Sequence, residues 1–145
     1  MRRDLRSSVL QRLYDYWRTK WHDEGLPGRA DIDPLDFSYA LGDVTLVDVL
    51  YDPMRFRFRL DGTRHVDHFG FDMTGQMLDD FPEPALRQSI FDSYRDVVES
   101  RLPRRRYRDL TDDGRPFRYE ALLLPLAKDG QQVDMIMVAI AFHDA

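Results

Sequence analysis

Val133 to Ala141 is apolar on both of its alternating faces, with Val133, Met135, Met137 and Ala139 on one and Ile136, Val138 and Ile140 on the other. A strand of that kind cannot form a sheet edge or face water, so it demands a central position with cover above and below. Before it runs Phe117 to Ala127, and Lys128, Asp129, Gly130 and Gln131 join the two. Asp-Gly between apolar runs is a strong hairpin signal, because Gly takes positive φ freely and Asp tolerates it. The rest of the chain must supply a sheet around this hairpin and a cover for each face.

The first cover is legible at the N-terminus. Leu5, Val9, Leu13, Trp17 and Trp21 recur every four residues, widened by Leu10, Tyr14 and Tyr16, which predicts a long amphipathic helix. It must end before Gly25 to Gly28, where Pro27 intervenes. Asp33 as N-cap, Pro34 at the first helical position and Gly42 past Leu41 predict a second, short helix. Val44 to Tyr51 then reads as an apolar strand that turns at Asp52-Pro53 into Arg55 to Asp61. In that second strand Phe56, Phe58 and Leu60 alternate with Arg55, Arg57 and Arg59, so one face is buried and the other is wet.

From Gly62 to Arg101 the period becomes helical, with small elements around Thr63 to Gly70 and a longer helix near Pro84 to Glu99 that carries Leu86, Ile90, Tyr94 and Val97 as a stripe. Arg104 to Leu110 is an arginine-rich strand, turned by Asp113-Gly114 into the final pair. Arginine-rich strands belong at sheet margins and apolar strands inside, which gives the order 2-1-5-4-3. The expected class is α+β: a five-stranded antiparallel sheet with a helical block on one face and the N-terminal amphipathic helix. Residues 1–145 are expected to form one domain, with residues 1–42 as an N-terminal helical segment and 43–145 as the core.

Composition closes several chemistries. With no Cys there is no disulfide framework, thiolate metal site, Cys-held iron–sulfur cluster or chromophore joined through sulfur. Met1 to Lys20 lacks the apolar stretch of a signal peptide and no segment approaches a membrane span, so the expected location is the cytoplasm. A net charge of −5 opposes nucleic acid over the molecule as a whole. No nucleophile elbow, phosphate loop, dinucleotide fingerprint or His-Glu-x-x-His helix is present, and the expectation is a protein without enzymatic activity.

Several residues match a known pattern in order and spacing: Leu13, Tyr16 and Trp17; Gly28-Arg29, Asp31 and Asp33-Pro34; Leu60-Asp61-Gly62-Thr63; Gly70, Asp72, Thr74 and Gly75; Leu124-Pro125-Leu126 and Asp129-Gly130. With the strand order, they resemble a PAS-like single-domain family of bacteria, as found in alphaproteobacteria, over nearly the whole chain. The resemblance implies a sensory or regulatory module that binds a small molecule or a protein partner, without an output domain of its own. It also implies a ligand position between the inner sheet face and the helical block. The alternatives are a constitutive interaction module with a filled core and, third, an enzyme of unknown type.

Candidate pocket residues are Phe58, Phe69, Met73, Tyr94, Tyr107, Tyr119 and Met137, for which packing in a solid core is the competing use. Arg104, Arg106 and Arg108 share one strand face and are candidates for phosphate contact, against the commoner role of a solvated edge. Leu10, Leu13, Trp17 and Trp21 either pack on the chain's own sheet or join two copies in a homodimer. His65 and His68, with Asp67 and Asp72 nearby, fall short of a metal or haem pattern and read as solvated or hydrogen-bonded histidines on a helix surface. No metal site and no particular cofactor is assigned, and the protein partner is unidentified.

Overall fold

The computed structural model describes residues 1–23, 25–112 and 115–143. Five antiparallel strands form a single sheet in the order β2-β1-β5-β4-β3: β1 Val44–Leu50, β2 Arg55–Leu60, β3 Arg104–Asp112, β4 Arg115–Leu126 and β5 Met135–His143. The α-helices are α1 Ser8–Thr19, α2 Thr63–Phe69 and α3 Pro84–Ser100. The expected α+β class and strand order are therefore observed. The Asp113-Gly114 turn lies outside the described residues.

The doubly apolar strand takes the middle of the sheet. β5 pairs with β4 from Arg118↔His143 to Leu126↔Met135 and with β1 from Val44↔Ala139 to Asp48↔Met135. At the turn between them Gly130 takes φ 81, and the Asp129 carboxylate accepts from the backbone N–H groups of Gln131 and Gln132, both at 2.8 Å. These bonds fix a connection that the chain can make only with a left-handed residue at its tip.

The outer sheet face is covered by α1. Leu10, Leu13 and Trp17 are wholly buried there, and the Trp17 indole donates to the Pro125 carbonyl at 3.0 Å. Burial of three such side chains contributes about 1.5–3 kcal/mol each. The helix is shorter than its apolar period suggests. Ser7 caps it by accepting from the Leu10 N–H, and the N–H groups of Arg6 and Ser7 are turned away to the Glu120 carboxylate, at 2.9 Å each in their shorter bonds. That long-range partner holds the first turn out of the helix, and Leu5 is buried as part of a separate segment.

Other departures have equally local causes. Pro34–Asp43 is a 3₁₀ segment, broken at Phe37 and Ala40, although Asp33 caps it as expected. Leu60 is half exposed rather than buried, because a bulge shifts the β1–β2 register from Val47↔Phe58 to Leu46↔Leu60 and so rotates Leu60 out of the Phe56 and Phe58 row. Among the described residues, no helix is long and apolar enough to cross a membrane.

The inner sheet face is covered by α2, the segment 70–83 and α3. Glu83 caps α3 by accepting from the N–H groups of Ala85 and Leu86, and Pro84 occupies its first position. Ile90, Tyr94, Val97 and Val98 are buried, and Phe56 meets the rings of Phe91 and Tyr94 edge-on at 5.4 and 5.2 Å. Gly70 and Gly75 have φ 86 and 82, the left-handed turns by which the intervening segment passes from α2 toward the sheet.

Candidate functional site

Alternation along the strands decides which residues face α3. Thr45 of β1, Phe58 of β2, Tyr119, Ala121 and Leu123 of β4, and Val138 and Ile140 of β5 all point inward, as do Arg106 and Arg108 of β3. Between them and the helical block is a cavity of about 50 Å³. Its roof is built by His65 and Phe69 of α2, Phe71, Met73 and Phe81 of the connecting segment, and Ile90, Ser93 and Tyr94 of α3. An apolar cavity that takes benzene is about 150 Å³, and a water needs about 10–15 Å³, so this space suits a very small molecule or a few waters.

Five pocket candidates, Phe58, Phe69, Met73, Tyr94 and Tyr119, line this cavity. Two do not. Met137 lies between Ile136 and Val138 on β5, so its side chain is turned to the opposite face, where it is fully buried. Tyr107 lies between Arg106 and Arg108 and is likewise on the outer face, partly exposed, with the guanidinium of Arg6 5.5 Å from its ring centre.

One end of the cavity is organised by Thr45. Its hydroxyl stands 2.6 Å from His65 Nδ1 and 2.9 Å from Asp61 Oδ1, and accepts from the Gly62 N–H at 3.0 Å. His65 Nε2 lies 2.7 Å from the Asp43 carbonyl, which can only accept, so Nε2 carries a proton. Burial pushes the His65 pKa down, against the raising influence of Asp43 and Asp61. The single Thr45 hydroxyl proton is donated to Asp61 Oδ1. Gly62 is required beside this network: a Cβ there would stand 2.7 Å from the carbonyl oxygens of both Gly42 and Val44.

The expectation of surface histidines is corrected for His65, which is buried. His68 is on the outside of the same helix, stacked on Phe142 at 3.8 Å, with Nδ1 2.9 Å from the Arg64 carbonyl. Among the described residues no group of three or more His, Asp or Glu is placed to hold a metal ion.

The opposite end is cationic. Arg104, Arg106 and Arg108 do share a face, but it is the face against α3 and not a solvated edge, because α3 lies across the β3 margin. Asp96 accepts from Arg104 at 2.7 Å and from Arg106 at 2.9 Å. The Arg104 hydrogen bond, against the cost of burial and with help from Arg106, holds the Asp96 carboxyl below the usual range. Arg108 instead reaches the Ser89 hydroxyl, the Ser93 hydroxyl at 3.1 Å and the Ser89 carbonyl at 3.4 Å. Three arginines converging on one phosphate is therefore not the observed arrangement, since two are held by Asp96.

Between the two ends stand the phenols of Tyr94 and Tyr119. Burial raises both pKa values, that of Tyr119 to about 12 despite the Arg108 guanidinium, so both are neutral hydrogen-bond donors at physiological pH. Tyr94 is 6% exposed, and its hydroxyl makes no hydrogen bond among the described residues.

Three of the four interface candidates take the first of their two expected uses, packing on the chain's own sheet. Leu10, Leu13 and Trp17 serve the chain's own sheet, and of the four only Trp21 is partly exposed, with its ring 4.0 Å from the Arg18 guanidinium. A homodimer built through Leu10, Leu13 and Trp17 would have to draw α1 off its own sheet.

Three comparisons bear on this architecture. A family model described as PAS domain matches residues 5–141. Among solved structures, the PAS domain from Bordetella pertussis BvgS is similar in fold, with a TM-score of 0.56, 21% identity, and coverage of 79% of this chain and 89% of that chain. No curated protein matches the sequence.

Proposed function

The chain belongs to the PAS domain family of sensory and regulatory modules, and on that premise we propose that it senses a small molecule in the cavity between the inner sheet face and α3. The observation that carries this reading is the cavity's chemistry. A space left over from core packing is lined by apolar groups, whereas this one is faced by Thr45, Asp61, His65, Tyr94, Arg106, Arg108 and Tyr119. Convergent polar groups around an apolar floor are how ligand sites fix orientation.

Transmission follows from the strands themselves. β4 presents Tyr119 and Ala121 to the cavity and Glu120 to the outer face, where Glu120 holds Arg6, Ser7 and Arg105. A ligand that moves β3 against β4 acts on the residues that set the start of α1, and a ligand that prefers one arrangement shifts the population toward it. A protein partner would read that change on α1 or the outer face.

The small volume favours a second reading, a constitutive interaction module whose core needs no ligand. Native mass spectrometry of the gently purified protein, with a thermal-shift screen of small polar compounds, separates the two. Retained mass or a saturable rise in Tm supports sensing; neither would favour the constitutive module.

A further inference from the structure

Among the described residues, Arg108 is the one member of the inner-face arginine row without a carboxylate in ion-pair contact. Arg104 and Arg106 share Asp96. Among the described residues Arg108 forms no ion pair, and its partners are the hydroxyls of Ser89, Ser93 and Tyr119 and the Ser89 carbonyl, all neutral. A half-buried guanidinium held only by neutral acceptors keeps an uncompensated charge, which a carboxylate complements.

The groups around it narrow the complement. Tyr94 lines the same cavity, is almost wholly buried and brings a hydroxyl without a hydrogen bond among the described residues. At the β2 margin, at the other end of the sheet from β3, Asp61 is already engaged by Thr45 at 2.9 Å and by the Met73 N–H at 3.1 Å. Its negative charge repels a second anionic group. The floor between the margins is apolar, formed by Leu123, Val138 and Ile140, and the cavity of about 50 Å³ leaves little length.

Resting on the reading of this cavity as the ligand site, we infer that its ligand is a short-chain monocarboxylate, with the carboxylate on Arg108 and the Tyr94 hydroxyl and the alkyl end on the β5 floor. One guanidinium balances one negative charge. A phosphate dianion or a dicarboxylate would leave charge unmatched and would bring it toward Asp61.

The test is an NMR titration of the whole chain with formate, acetate, propionate and butyrate, each against its uncharged amide, at pH 7.5 and constant ionic strength. The acids are expected to shift resonances of Ser93, Tyr94, Arg108 and Tyr119 saturably, and the matching amides to bind about tenfold or more weakly, the worth of a charge-assisted pair. Arg108→Gln should abolish the preference for acid over amide, and Arg108→Lys, which keeps the charge without the fork, should retain part of it. If Arg108→Gln does not fold, the acid-to-amide ratio of the wild-type protein decides alone. Equal binding of acid and amide at the cavity would overturn the carboxylate assignment while leaving the ligand site standing. A cavity unmoved by every acid and amide would overturn the assignment and count against the ligand site as well.

Discussion

Thr45 has one hydroxyl proton and two acceptors facing it, His65 Nδ1 and Asp61 Oδ1. That proton is donated to Asp61. If His65 were protonated, Nδ1 would donate to Thr45 and Thr45 would donate to Asp61, but burial opposes that state and holds the folded-state pKa below its ordinary 6.5. The unfolded chain therefore takes up a proton near pH 6.5 that the folded chain refuses, and stability present above pH 6.5 is lost as the pH falls toward the lower folded-state value. Urea unfolding of wild type and His65→Gln between pH 6.5 and 5 should differ in slope by up to one proton, roughly 1.4 kcal/mol per pH unit. Superimposable profiles would mean that His65 is protonated in the fold. The sequence placed His65 on a helix, but whether a helical histidine is wet or buried depends on which strand lies beneath it, and Thr45 is 20 residues away.

At the scale of elements, the start of α1 is set from the far end of the chain. Glu120 is fully buried on β4 and accepts from the N–H groups of Arg6 and Ser7 and from Arg105 at 2.6 Å. Burial alone would raise its pKa, yet these three donors together hold it below the ordinary value. Glu120→Ala should cost about 3–5 kcal/mol, since it leaves the half-buried Arg105 and two backbone donors unpaired. Equilibrium denaturation measures this, with a loss of less than about 1 kcal/mol contradicting the role assigned to Glu120. Periodicity made α1 legible from Leu5 to Trp21 but could not show the partner that shortens it. The arginine-rich strand does stand at the sheet margin, as its charge indicates, and only the docking of α3, which brings Ser89, Ser93 and Asp96 over β3, shows that the inward arginines are covered.

For the whole molecule, sheet order and the two-sided cover of β5 were legible because strand chemistry is strong where a strand is apolar on both faces. Five cavity residues were legible as aromatic or Met content of the inner face. Met137 and Tyr107 were not, because their side of the sheet follows from strand register, which composition does not carry. The central claim is that the space between sheet and α3 is a ligand site and not a packing remnant. Ala121, on the cavity floor, offers the most direct test, since Ala121→Leu adds volume into the space while keeping the strand apolar. A screen of small polar compounds by NMR, run on wild type and on folded Ala121→Leu, is predicted to find a compound that shifts cavity resonances saturably in the first and is excluded from the second. Binding of equal strength in both proteins, or no cavity-directed binding in wild type, would contradict the account.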